Sequence, residues 1–399
     1  MPLSPAKRRK HLDDLLKLTS IPTAAGREHR IINWINHWLA SRRNLSVRRD
    51  RYGNIMIRIK GRRSPRPLFF TAHLDHPAFV VTRILDSCNV KLEFRGGVKP
   101  EYFTDGRINL HDSGDRKHSA KIIAHQKGTF FRQIAARLTR PTDSLGVDDI
   151  ATWNLKPAFV RGKRIYAPAC DDLAAAAAAL AAIDELRKSS SSAGDVRILF
   201  TRAEEVGFVG AILASENGFI PRSARIIALE NSRTFPDSPI GAGPIVRVGD
   251  RISVFHHGLT FAVTQVAEYL SKSNRKSGFK YQRKLMPGGA CESTAYQAFG
   301  YESMCVCLPL ANYHNMGDID AVYAGTNTKP PRAVHEFIGH ADYHNLVELL
   351  IACGKAFTAP ASRKKRSWPS PQGADAILNR MVRIGKDREF VLREKAARL

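Results

Sequence analysis

A chain of 399 residues with 43% hydrophobic and 25% charged side chains carries enough apolar content for a sizeable core, and its length suits two or three domains, one nested in another. Its 62 Lys and Arg against 37 Asp and Glu leave a formal charge of +25, which invites anionic partners but does not by itself name a function. No apolar run approaches the ~20 residues that span a bilayer, and the basic opening Met1–Lys10 leads into no apolar signal region or cleavage site, so neither a membrane segment nor secretion is expected.

Leu12, Leu15, Leu16 and Leu18 keep helical spacing up to Ile21-Pro22, and Ile31, Ile35, Trp38 and Leu39 form one face of a second helix. A strand is expected over Asn54–Lys60, after the turn at Tyr52-Gly53-Asn54. The apolar run Pro67–Ala72 reads as a strand buried on both faces, leading into His73-Leu74-Asp75. Residues 77–165 differ in character. Short alternating patches such as Phe79–Ile84 and Val90–Phe94, punctuated by Gly96-Gly97, predict an inserted β-rich domain with one helix near 130–139. The alanine-rich stretch Asp172–Lys188 predicts a helix, because alanine is the best helix former. Three further buried runs each lead to an ionisable residue: Arg197–Thr201 to Glu204-Glu205, Arg225–Leu229 to Glu230, and Ser303–Leu310 to His314.

Helices at Glu292–Phe299 and Asp342–Phe357 complete an alternation that predicts an α/β fold. The expected architecture is a mixed-sheet α/β sandwich built from residues 1–76 and 166–359, with 77–165 inserted and 360–399 as a basic C-terminal extension holding a helix at 374–397. Four buried strands then bring ionisable residues to their C-terminal ends, where open α/β sheets place their sites. Six cysteines (Cys88, Cys170, Cys291, Cys305, Cys307 and Cys353) include no Cys-x-x-Cys pair and are expected as reduced thiols in a cytoplasmic protein. Basic clusters at 7–10, 42–51, 61–66 and 363–366 come without a zinc finger or an RNP-like aromatic motif. A solvated basic surface is therefore the simpler reading, and nucleic acid is a partner not favoured.

Five elements carry residue types that divalent metals take: His73 with Asp75, Asp171-Asp172, Glu204-Glu205, Glu230, and His314. Each has an ordinary explanation when taken singly. Asp171-Asp172 ahead of an alanine helix reads as a cap and a first-turn acid, Glu204-Glu205 as a solvated strand end, and His314 as a satisfied core histidine. Glu230 resists this treatment, since a carboxylate ending a buried strand needs a partner. Together they supply imidazoles, terminal carboxylates and a bridging carboxylate, the inventory of two adjacent zinc ions.

The stretches Thr71–His76 (Thr-Ala-His-Leu-Asp-His), Ala169–Ala174 (Ala-Cys-Asp-Asp-Leu-Ala) and Ala203–Ala211 (Ala-Glu-Glu-Val-Gly-Phe-Val-Gly-Ala) occur in that order, with Gly241–Pro244 and Pro287–Gly289 beyond them. With Leu15–Glu28 and Arg49–Ile55, they make the chain resemble, over about residues 12–358, the dinuclear zinc aminopeptidases of the glutamyl-aminopeptidase and tetrahedral-aminopeptidase type. The wider superfamily also contains zinc carboxypeptidases and aminoacylase-like deacylases. The resemblance implies that His73 and Glu230 hold one metal, that Glu205 and His314 hold the other, and that Asp171 bridges them. Asp75 would orient His73. Glu204 would be the general base that takes a proton from the attacking water and passes it to the leaving nitrogen. It also implies two divalent ions per chain, zinc with cobalt or manganese as alternatives, a peptide or small amide substrate, and a homo-oligomer assembled through 77–165, which also roofs the site.

Departures from the family pattern gather on the substrate side. His76 stands where Glu is common, and Glu230 where the closest relatives have Asp. Ala290-Cys291-Glu292 replaces Thr-Asp, and His314 lies within Asn-Tyr-His-Asn. Gly289, Cys291, Glu292 and Tyr313 are therefore the expected substrate-binding residues, and substrate preference is where this chain should differ. The alternatives are an N-acyl-amino-acid or carboxypeptidase-like amidohydrolase on the same scaffold, and a basic nucleic-acid-binding homologue. Only the first shares the metal chemistry.

Overall fold

The computed structural model describes residues 3–188, 194–273 and 278–358, so the basic extension and its expected helix lie outside the described residues. Helices α1 (Pro5–Leu18) and α2 (His29–Ala40) open the chain. Helix α1 starts as its sequence dictates, with the Ser4 hydroxyl accepting the Lys7 N–H and proline in the first turn. The hairpin β1 (Leu45–Arg49) and β2 (Ile55–Ile59) and the fully buried β3 (Leu68–His73) follow.

Strands β4 (Ala78–Ile84), β5 (Asn89–Arg95), β6 (Arg107–His111), β7 (Lys117–Gln126), β8 (Arg132–Leu138) and β9 (Ile150–Trp153) close into a separate barrel in the order β4-β5-β8-β7-β6-β9. Phe79 anchors its core, edge-on to Phe94 at 4.8 Å and to Trp153 at 5.0 Å between ring centroids. The helix expected near 130–139 is instead β8. Ile134, Ala136 and Leu138 alternate inward while the strand pairs with β5 and β7, so period-two burial overrides the helix preference of Ala135-Ala136.

The chain then returns through β10 (Phe159–Arg161) and β11 (Arg164–Ala167) to α3 (Leu173–Leu186), β12 (Val196–Thr201), α4 (Val209–Glu216) and β13 (Arg225–Arg233). It continues through β14 (Ile245–Gly249), α5 (His257–Ser273), β15 (Gln282–Leu285), α6 (Glu292–Ala298) and β16 (Glu302–Ala311), and closes with α7 (Ile319–Ala324), β17 (Glu336–Gly339) and α8 (His340–Thr358). One eleven-stranded mixed sheet results, in the order β1-β2-β12-β3-β13-β16-β17-β11-β10, with β14 paired to β16 and to β15. At its centre β12, β3, β13 and β16 run parallel, so the four buried runs deliver their ionisable residues to the same end of the sheet. Helix α3 packs against α1, α8 and β3 and is buried except at Glu185. Its alanines permit burial on every side, because no bulky face must be turned to water. It starts at Leu173, and β13 runs through Arg233, which places Glu230 inside a strand. None of the described helices is long and apolar enough to cross a membrane.

Candidate metal centre

His73 ends β3, and the chain then turns through Asp75 and His76. Asp75 is fully buried; its carboxylate accepts the N–H groups of Glu204 and Glu205, both at 3.0 Å, and stands 3.5 Å from His73 Nδ1. His73 Nδ1 bonds to the Asp75 carbonyl at 3.2 Å, so the backbone and the carboxylate of one residue together orient the imidazole, while the carboxylate pins the Glu204-Glu205 turn. Burial alone would raise its pKa, but His73 and the two amides outweigh that and hold it below the usual carboxylate range. The glycines of Glu-Glu-Val-Gly-Phe-Val-Gly have a structural reason. A Cβ at Gly210 would lie 2.5 Å from the backbone of Arg202, so only glycine lets α4 pack under the turn. Glu28 secures the same turn, accepting from Arg202 Nε at 2.7 Å and from the N–H of Ala203 at 3.0 Å.

Asp171 occupies the loop before α3, and its two oxygens face different imidazoles. Oδ1 lies 3.4 Å from His73 Nε2, and Oδ2 lies 3.6 Å from His314 Nε2. Glu205 Oε1 reaches His314 Nε2 at 3.3 Å, and Glu204 Oε2 lies 3.7 Å from His73 Nε2. Donor atoms of His73, Asp171 and Glu230 gather within 4.8 Å of one another, as do those of Asp171, Glu205 and His314. His73, Glu204 and Glu205 form a third such grouping, which shares His73 with the first and Glu205 with the second. Asp172, read from sequence as a first-turn acid, instead takes the N-cap position of α3, makes no capping bond and is buried without a hydrogen-bond donor to either oxygen.

Electrostatics agree with the geometry. Burial pushes Glu204 and Glu230 far above the ordinary carboxylate range, and neighbouring carboxylates add to the effect. Burial opposes charge on His73 and His314, yet the surrounding acids prevail and hold both well above an ordinary imidazole. Such crowding is costly unless a cation is shared. The residues fit divalent ions on a further count. Asp171 Oδ1 and Glu205 Oε1 are buried with no hydrogen-bond donor, and separations of 3.3–3.6 Å match the edge of about 3.4 Å between tetrahedral ligands bound at about 2.1 Å.

Among the expected substrate residues, Gly289 and Tyr313 line a cavity of about 190 Å³ next to Glu230, together with Arg247, Ile319 and Tyr323. Glu292 and Cys291 do not line it. Glu292 is buried, with the Tyr296 hydroxyl 3.3 Å from its carboxylate and its pKa pushed up to about 7, chiefly by burial. Cys291 is fully buried, its thiol directed at Asp250 3.9 Å away. His76 belongs to the loop scaffold: Nδ1 bonds to the Asp171 carbonyl at 2.6 Å, and Nε2 meets Asn315 Oδ1 at 3.0 Å. His314 Nδ1 bonds to the Gly97 carbonyl, which comes from the segment after β5, at 2.6 Å. Sequence reasoning missed Glu336, which accepts backbone N–H groups from Cys170, Asp171 and His314. Its setting, Val334-His335-Glu336-Phe337, carries no local cue beyond one acid in a short strand.

Comparison with known proteins bears on the family and the fold. Residues 53–326 match the family model of the M42 glutamyl aminopeptidases, a span that includes all six residues gathered at the centre. YhfE of Bacillus subtilis, a protein named as an aminopeptidase, is 21% identical over 222 residues, covering 51% of this chain and 64% of its own length. Among solved structures, the TET1 peptidase of Pyrococcus horikoshii superposes with a TM-score of 0.69 at 20% identity, covering 86% of this chain and 99% of that one. An aminopeptidase from Desulfurococcus kamchatkensis gives 0.69 at 19% identity, over 87% and 95% of the two chains. A TET aminopeptidase from a marine-sediment thaumarchaeon gives 0.70 at 18% identity, over 87% and 97%. These superpositions establish the fold, and the family match spans most of the chain. The chain belongs to the M42 glutamyl aminopeptidase family, a family of metal-dependent peptidases.

Proposed function

We propose that the protein is a two-metal aminopeptidase. The observation that carries this reading is Asp171, one carboxylate aimed at two imidazoles. His73, Asp171 and Glu230 would hold one divalent ion and Asp171, Glu205 and His314 the other, zinc ahead of cobalt or manganese in such a nitrogen and oxygen set. Bound there, the ions supply Lewis acidity at the scissile carbonyl and lower the pKa of water.

The remaining work falls to the chain. Glu204, held by its backbone bond to Asp75, takes a proton from the attacking water and delivers it to the leaving nitrogen. Asp75 keeps the His73 ring in place. The family match favours a free α-amine on the substrate over a C-terminal carboxylate. The cavity lined by Gly289 and Tyr313 receives the N-terminal side chain.

The proposal includes a cytoplasmic homo-oligomer. The P. horikoshii relative assembles into a tetrahedron or an octahedral shell, and this barrel exposes Leu85, Ile123, Phe130 and Val147. The Gly97–Phe103 segment roofs the site through His314 and through the Tyr102 hydroxyl, which donates to the Gly317 carbonyl at 2.5 Å. Hydrolysis of aminoacyl-anilides with free and N-acetylated amines tests the reading. Cleavage of only the free-amine substrates is expected; cleavage of only the acetylated ones would favour the deacylase branch.

A further inference from the structure

We infer that Glu336 is a positioning residue for the metal centre, and that it sets the His314 side more than the His73 side. The inference rests on the two-metal reading. Glu336 is fully buried in β17, opposite Ala167 at the end of β11, where the register turns its side chain toward the loop that leads into α3. Oε2 accepts the N–H groups of Cys170 at 2.7 Å and Asp171 at 3.0 Å, and Oε1 accepts the N–H of His314 at 2.7 Å. It is not one of the carboxylates gathered around the imidazoles. Its part is to tie together two segments 143 positions apart in the chain, the bridging aspartate and the histidine that faces it.

The His314 segment needs holding. Asn312, His314 and Asn315 all have positive φ, a region non-glycine residues rarely adopt, so this turn does not keep its shape on local preference. The His314 ring is anchored separately, by the Gly97 carbonyl and by stacking on Tyr313 at 3.7 Å. Among the described residues, Glu336 alone bonds the His314 backbone N–H. Its two oxygens meet three donors, so a glutamine in its place must turn an NH2 group toward at least one of them. On the His314 side, two of the three ligands, Asp171 and His314, are carried by backbone that Glu336 holds. On the His73 side only Asp171 is. Loosening Glu336 should therefore be felt unequally.

Zinc titration of the metal-free full-length protein, in competition with a chromophoric chelator, tests this. Wild type should take two ions. Glu336→Gln should keep one site within about threefold of wild type and weaken the other by about tenfold to a hundredfold, the range for groups that orient ligands. Glu205→Gln should weaken that same site, and the double variant should do little more than either alone, because both act on one ion. Two sites unchanged in Glu336→Gln would overturn the inference. So would equal weakening of both sites alongside a lowered unfolding temperature of the metal-free protein, which would assign Glu336 to the fold. If Glu336→Gln does not fold, Glu336→Asp keeps the charge but is one methylene too short to hold both segments, and it is read in the same way. Failure of both variants to fold would also overturn it. Wild type taking fewer than two ions would instead reject the two-metal reading itself.

Discussion

Glu204 and Glu205 are neighbours in the chain but meet different groups: Glu205 faces His314 at 3.3 Å, while Glu204 stands over His73 at 3.7 Å. Glu204→Gln should therefore keep its metal and lose turnover by about a hundredfold or more, the scale of general-base loss. Glu205→Gln should lose metal. Equal metal loss in both, measured by mass spectrometry, would reverse the assignment. Arg247 offers a second residue-level test. It is 3% exposed and lines the cavity beside Glu230; it donates to Ser232 Oγ at 3.2 Å and to Cys305 Sγ at 3.8 Å, pairs with Asp250 at 3.8 Å, and has a buried Nε without an acceptor. A buried guanidinium with a spare donor suits a carboxylate on the N-terminal side chain. Glutamyl-anilide should exceed leucyl-anilide in kcat/KM by about tenfold, roughly one charge-assisted hydrogen bond, and Arg247→Met should erase that preference. Faster cleavage of the leucyl substrate by wild type would contradict it. His73, Glu204, Glu205, Glu230 and His314 were legible in the sequence because each ends or follows an apolar run, and Asp171 because its Ala-Cys-Asp-Asp-Leu-Ala stretch is one of those that carry the resemblance. Glu336 and the contacts of His76 were not, since both act on backbone atoms brought near only by the fold.

At the scale of elements, helices α1 and α8 meet around His344, whose two ring nitrogens are buried without hydrogen-bond partners. Burial, with His340 on the same helix and Arg8 and His11 from α1, pushes its pKa down to about 3. The native state then holds fewer protons than the unfolded chain, whose histidine titrates near 6.5, so stability falls as pH drops through the window from about 6.5 to 3. At pH 5 this costs about 2 kcal/mol. His344→Leu should show a smaller loss of unfolding temperature between pH 7 and pH 5 than wild type, by a few degrees. An identical acid limb in the two proteins would refute this. Element type was legible in the helical spacing of α2 and in the continuous apolar run of β3, whereas α5, seventeen residues long, was not among the expected helices. The reading failed at β8, where an alanine pair imitates a helix and only pairing with β5 and β7 reveals a strand. Helix α7 had no comparable signal, because Ile319 and Val322 are buried by Tyr102 and Met316 rather than by the main core.

Across the whole molecule, a parallel centre of four strands brings groups from His73 to His314 to one end of a sheet, and the barrel reaches back over them through Gly97. The α/β alternation and the order of the metal-ligand motifs could be read from the sequence, since both depend on local pattern. The closure of the insertion into a barrel could not, because strand order depends on long-range register. The proposed chemistry depends on one aspartate shared between two metal ions. The most direct test is metal content per chain by plasma mass spectrometry, for wild type and for Asp171→Asn after zinc reconstitution. Close to two ions are expected in wild type and fewer than one in the variant. Wild type with fewer than two ions after zinc or cobalt reconstitution, or Asp171→Asn still holding two, would contradict the sharing of that carboxylate.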